Sequence, residues 1–170
     1  SKSQQWKKIT VTLPSYIYSL HHNAAIEFSL INHGFQLSNR DVLHYVELPA
    51  DTENLPSFFD SKCRNQMKKA LEKYRIVEDA SAEDFYPILL EDKSRHEAKA
   101  THSLADLIYL KKTFPDRIQF DLATDENGFK AGICYFKVTD RCVSTFYMAQ
   151  MTAAIGSNPL NALIYKGIER

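Results

Sequence analysis

The sequence predicts a mixed α/β domain built on a largely antiparallel sheet, and three observations predict it. Apolar residues recur at helical spacing, most clearly at Cys63, Met67, Ala70, Leu71 and Tyr74. Three alternating apolar stretches, beginning near Ile118, Phe129 and Cys142, follow one another with only short turn signals between them, the pattern of a strand meander. A helix whose first residue is Pro159 then closes the order.

Composition bounds the function classes. The chain has 170 residues, enough for one domain with a core, and 44% apolar with 25% charged residues is an ordinary globular balance. Lys and Arg number 21, as do Asp and Glu, so a globally basic nucleic-acid binder is not indicated, although a local basic face is compatible with this balance. No apolar run approaches the roughly 20 residues of a membrane span. The polar, basic start from Ser1 to Lys8 does not read as a signal peptide. Cys63, Cys134 and Cys142 are odd in number and form no C-x-x-C pair, which argues against a disulfide framework and a structural zinc site. They are expected to be buried thiols in a cytoplasmic protein, with no metal.

Each element has a local reason. Ile9, Val11 and Leu13 alternate as a strand that Pro14 ends. Ile17, Leu20, Ala24, Phe28 and Ile31 follow at helical spacing, and Gly34 suits a left-handed cap. Residues from Phe35 to Leu48 alternate as strand, and Leu48 to Pro56 reads as a loop. Residues 1–56 are therefore expected to form a strand–helix–strand segment, the tail of a preceding half-domain, ahead of a domain at 57–170. A helix is predicted from Ser57 to Tyr74, with a short strand from Arg75 to Asp79. Ser81 with Asp84 and Ser103 with Asp106 are capping patterns that open two further helices. Pro87 predicts a late start or a kink in the first of them, and Pro115 stops the second. Asn127-Gly128 is the strongest hairpin signal, and Asn158 is the expected N-cap of the final helix. A meander that runs into a helix normally continues into a further strand, so the chain is expected to be a fragment lacking the last strands of its fold.

Four places carry candidate chemistry. From Ala149 to Asn158 a strand end, a loop with Gly156 and a helix start follow one another, and free N–H groups at a helix start bind phosphate. Lys62, Arg64, Lys68, Lys69 and Lys73 make a basic helix face on which Arg64 and Lys68 lie one turn apart, fit for a phosphate or a nucleic-acid backbone. The stretch Lys93 to Ser103 is crowded with titratable groups. His102 precedes a helix start, which favours a neutral, base-competent ring, and Glu97 is the second candidate to steer a proton. Strict alternation puts Phe146 and Met148 on one face of the last strand and Tyr147, a candidate proton donor, on the other. Walker, G-x-G-x-x-G and G-x-S-x-G patterns are absent from the sequence.

The order of elements and several stretches resemble the GNAT acyltransferases in their Fem-like branch. The stretches are R-N-x-x-K-K-A from Arg64, T-H-S-L-A-D-L from Thr101, F-P-D-R-I from Phe114, K-A-G-I-C-Y-F from Lys130 and F-Y-M-A-Q from Phe146. The resemblance implies a mixed, largely antiparallel sheet flanked by helices on both faces, and N-acyl transfer from acyl-CoA, such as acetyl-CoA, to an amine acceptor. It implies that Met148, Ala149 and Gln150 run along the pantetheine arm and that Gly156, Ser157 and Asn158 hold the pyrophosphate. The family's usual Q/R-x-x-G-x-G/A spacing is replaced here by five residues between Gln150 and Gly156. In Fem-type relatives the donor is aminoacyl-tRNA and the acceptor a cell-wall precursor amine, a setting that suits the basic helix. Arg64 and Lys68 are then the substrate-binding candidates, and His102, Glu97 and Tyr147 the catalytic ones. A catalytically degenerate binding module and a homodimer remain open.

Overall fold

The computed structural model describes residues 7–19, 21, 24–49 and 54–170. Leu20 of the expected N-terminal helix and residues 50–53 of the expected loop lie outside them. The chain divides into two compact units, Ser1–Val46 and Glu47–Arg170.

In the first unit the expected strands are not formed. Residues 8–15 and 35–49 carry no regular structure, and Val42 and Val46 are 79% and 80% exposed. Alternation makes a strand only where a partner supplies ladder hydrogen bonds and one face is buried. The expected long helix is reduced to a 3₁₀ turn at Tyr16–Tyr18 and the helix α1, Ala25–Asn32. The stop at Gly34 follows the sequence: Gly34 has φ of 83°, its N–H bonds the Ile31 carbonyl, and the Phe35 N–H bonds the Leu30 carbonyl.

The second unit is a mixed α/β domain. Its elements run α2 (Ser61–Lys73), β1 (Arg75–Val77), α3 (Ala82–Arg95), α4 (Leu104–Thr113), β2 (Ile118–Asp125), β3 (Gly128–Thr139), β4 (Cys142–Gln150) and α5 (Pro159–Glu169). The sheet has four strands in the order β1-β2-β3-β4, with every neighbouring pair antiparallel. Leu55–Phe58 and Thr152–Ser157 are 3₁₀ turns. The predicted helix from Ser57 starts four residues later, because the Asp60 carboxylate accepts from the Cys63 N–H and caps it at Ser61. α3 starts at Ala82 and runs through Pro87, without the late start the proline predicted. The carbonyl that loses its donor belongs to Glu83, and both Glu83 and Pro87 are exposed, so the gap in the helix ladder lies on its solvent side.

Helices cover both faces of this sheet. On one, Phe85, Ile88 and Leu89 of α3 and Leu107 of α4 pack on Phe120, Leu122, Cys134, Tyr147 and Ala149. On the other, Ala70 and Tyr74 of α2 with Ala162 and Leu163 of α5 pack on Ala123, Ala131 and Ile133. Each fully buried Phe, Leu or Ile contributes about 1.5–3 kcal/mol. Gly132 permits the close approach of α3, since a Cβ there would stand 2.6 Å from both Phe85 and Leu122. The β2–β3 hairpin forms where Asn127-Gly128 predicted it. Its positive φ of 94° sits on Gly128, and neither Glu126 nor Asn127 shares it, so this is not the mirror-image two-residue turn. Among the described residues no helix is long and apolar enough to cross a membrane.

Candidate functional site

The candidate site gathers where the loop before α4 meets the exposed edge of β4. The Ser103 hydroxyl accepts from the Asp106 N–H at 3.2 Å, while the Asp106 carboxylate accepts from the Ser103 N–H at 2.8 Å. This reciprocal capping box fixes the residue before it, His102. His102 Nδ1 lies 3.0 Å from the Tyr147 hydroxyl, so the structure joins two of the three predicted catalytic residues. The Tyr86 hydroxyl donates to the His102 carbonyl at 3.4 Å. His102 Nε2 makes no hydrogen bond to any described residue.

A register shift in β4 builds the rest of the site. Cys134 pairs with Tyr147, but Tyr135 pairs with Thr145, so Phe146 has no partner on β3. This β-bulge corrects the strict alternation. Phe146 shares the face of Tyr147 instead of opposing it: its ring stacks on Phe136 at 4.2 Å and meets His102 edge-on at 5.3 Å. Lys93 Nζ stands 5.9 Å from the centre of the Tyr147 ring. Phe146 and Lys93 lay within candidate stretches without a role of their own and Phe136 in none; the face Phe146 takes was hidden because a bulge leaves no local signature in one sequence.

Glu97 does not join the dyad. It sits at φ of 51° just after α3, where its N–H bonds the Ser94 carbonyl and the Ala98 N–H bonds the Lys93 carbonyl. That pair of bonds is a Schellman stop, and it makes Glu97 the left-handed residue that ends α3. These bonds use only backbone atoms, and the Glu97 carboxylate forms no hydrogen bond or ion pair with a described residue.

The three residues expected along a donor arm differ in what their backbones offer. The Gln150 N–H donates to Asp92 at 3.4 Å and its carbonyl accepts from Arg95 at 3.4 Å, while the Met151 N–H bonds the Lys130 carbonyl. Alternation from these bonds turns the backbone of Ala149 inward to β3 and that of Met148 outward to the free edge. Met148 is therefore the residue of the three with an open edge. Ala149 is buried and paired, and Gln150 is clasped by Asp92 and Arg95, themselves 2.5 Å apart.

Beyond β4 the chain enters the 3₁₀ turn and α5. Beyond its chain neighbours, nothing lies within 4 Å of where a Cβ at Gly156 would stand. The Ser157 hydroxyl donates to the Ala154 carbonyl at 2.8 Å and meets the Tyr74 hydroxyl. Asn158 adopts a left-handed conformation (φ 54°) and makes no side-chain cap, contrary to the expected N-cap hydrogen bond. The Asn161 N–H, which an N-cap side chain would take, bonds the Asn158 backbone carbonyl at 3.1 Å instead.

The remaining candidates, Arg64 and Lys68, share a groove between α2 and Tyr165 of α5. That groove belongs to the opposite sheet face from His102 and Tyr147. Arg64 is partly spent on its own helix start, donating to the Phe59 carbonyl at 2.5 Å and to the Ser61 hydroxyl at 3.3 Å. Lys62, Lys68 and Lys69 are exposed and form no ion pair with described residues.

Electrostatics separate structural from available groups. Hydrogen bonds from the Ser103 side chain and backbone hold the Asp106 carboxyl below the usual carboxylate range, with a smaller lowering from His102. Burial pushes the Cys134 thiol up to about 12, which makes it inert; Cys63 and Cys142 are free and half-buried. Among the described residues no three His, Cys, Asp or Glu side chains converge as a metal site requires. No family model matches the chain and no curated protein matches it, so geometry and chemistry carry the functional reading.

Proposed function

We propose that the second unit is a GNAT-type N-acyltransferase domain, moving an acyl group from acyl-CoA to an amine. The observation that carries this is the His102–Tyr147 dyad, with its free Nε2, beside the bulged, open edge of β4. The antiparallel meander with helices on both faces and a helix after its last strand is in keeping with that family. The donor fits in part. The outward N–H and carbonyl of Met148 suit an amide of the pantetheine arm, and the open space at Gly156 suits a phosphate beside Ser157. Gln150 offers the donor nothing while Asp92 and Arg95 hold it.

The chemistry follows from the tautomer. With Nδ1–H donating to the Tyr147 oxygen, Nε2 carries a lone pair and the tyrosine proton is free to be given away. The amine nitrogen attacks the thioester carbon, forming the N–C bond as the C–S bond breaks. The amine proton passes to Nε2, and the departing thiolate takes the Tyr147 proton, which Nδ1–H replaces. General-base assistance of this kind is worth about 10²–10⁴ in rate.

Calorimetric titration with acetyl-CoA, free CoA and a short RNA tests the reading. Acetyl-CoA should bind, and Gly156→Phe, whose Cβ has open space around it, should abolish binding, with circular dichroism of the variant checking that the domain stays folded. His102→Ala should then lower kcat by about 10²–10⁴ with little change in donor affinity. Absence of CoA binding, or an unchanged kcat in that variant, overturns it. The unpaired lysines of α2 favour a second reading, a Fem-type transferase using aminoacyl-tRNA on a cell-wall precursor. RNA binding that fades with rising salt, with no CoA binding, would select it.

A further inference from the structure

We infer that the same site binds an apolar α-amino acid, with its side chain on Phe146 and Phe136, its amine at His102 and its carboxylate at Lys93. As the identity of the acceptor, this rests on the acyl-transfer reading; as a binding site, it stands on its own geometry.

The bulge provides the apolar part. Were β4 regular, Phe146 would project to the other face and leave His102 with Tyr147 alone. Inserted, Phe146 stays 37% exposed as a residue while its ring stacks within 10° of parallel on Phe136 and sits edge-on to His102. A flat aromatic surface that touches the proton acceptor and remains open to solvent favours an aliphatic or aromatic group beside the reacting amine.

Lys93 provides the charge. Both His102 and Lys93 approach the Tyr147 ring, His102 with its ring centre at 6.1 Å and Lys93 with its ammonium at 5.9 Å. Asp92 is committed to Arg95 and Gln150, Glu91 to the Thr152 N–H at 2.8 Å, and Glu97, four residues on, forms no ion pair with Lys93. Lys93 forms no ion pair with described residues, so a cation stands unneutralised next to the dyad. An α-amino acid carries amine and carboxylate on one carbon with its side chain beside them, which matches a base, a cation and an aromatic surface gathered around one tyrosine.

Binding of L-phenylalanine, glycine and 2-phenylethylamine to the full chain, followed through the His102 imidazole NMR signals, tests this without catalysis. L-Phenylalanine should bind about tenfold more tightly than glycine, which lacks the side chain. It should bind about tenfold more tightly than 2-phenylethylamine, which lacks the carboxylate. Phe146→Ala should remove the first preference. Lys93→Gln, which breaks no ion pair and leaves the fold intact, should remove the second and keep the first. Equal binding of the three compounds, or preferences unchanged in Lys93→Gln, overturns the inference. If these preferences hold but acetyl-CoA transfers nothing to bound L-phenylalanine, the acyl-transfer reading fails while the binding site stands.

Discussion

The two faces of the sheet hold polar clusters of opposite kinds. On the α2/α5 face, Asp121 is fully buried, and its carboxylate accepts from the Asp79 N–H at 3.2 Å, from Gln119 Nε2 at 2.8 Å and from Arg170. Its neighbour Tyr135 donates to the Leu163 carbonyl at 3.2 Å, and burial, reinforced by Asp121, pushes its phenol upward. Every strong group of that buried cluster is matched. On the α3/α4 face, His102 and Tyr147 share one hydrogen bond, and among the described residues Nε2 has no partner and Lys93 no counter-charge. Hydrogen-bond capacity that is all used stabilises a fold; capacity left over is what a substrate meets.

That contrast is broken or sharpened by mutation, beginning with its largest expected effect. Asp121→Ala strands a guanidinium, a side-chain amide and a backbone N–H together. Removing one partner of a buried pair costs about 3–5 kcal/mol, and the partial exposure of Arg170 places the expected loss near the lower end, about 3 kcal/mol. His102→Ala removes one half-exposed hydrogen bond and should cost at most about 1 kcal/mol. Urea unfolding followed by circular dichroism measures both. Equal losses would mean that the His102 cluster is as structural as the Asp121 one.

Sequence reveals what is decided locally. The capping box at Ser103, the stop at Gly34, the hairpin at Gly128 and the strands of the meander were all readable, because each depends on a few consecutive residues. The Schellman stop at Glu97 was hidden, since nothing marks a glutamate as left-handed. The bulge at Phe146 was hidden too, being a property of the pairing of β4 with β3. Asp121 draws its partners from residues 79, 119 and 170, so no window of the sequence contains the network. The N-terminal alternation misled for the same reason in reverse: a pattern fit for a strand found no partner there. For the site, His102 and Tyr147 were legible as residue types, whereas their contact and the aromatic surface beside them were not.

A smaller effect is expected at the loop that positions His102. Ser103→Ala removes the N-cap of α4 and should cost about 1 kcal/mol. The box also has a pH sign. The folded Asp106 carboxyl titrates below its unfolded value, so its stabilisation is complete above the unfolded pKa and is lost as pH falls through the folded one. The stability gap between wild type and Ser103→Ala, measured by urea midpoints, should therefore be constant near neutrality and shrink under acid conditions. A gap independent of pH would detach Asp106 from the cap.

The smallest expected change separates structure from chemistry at Glu97. A glutamate held at φ of 51° bears left-handed strain of about 1 kcal/mol, which glycine does not. Glycine also raises the entropy of the unfolded chain, which offsets part of that gain. Glu97→Gly should thus be neutral to about 0.5 kcal/mol more stable, with kcat unchanged, because the Schellman bonds to Ser94 and Lys93 use only backbone atoms. A stability gain accompanied by a large loss of kcat would return Glu97 to the proton path, and the reactive cluster would then extend beyond His102 and Tyr147 to the end of α3.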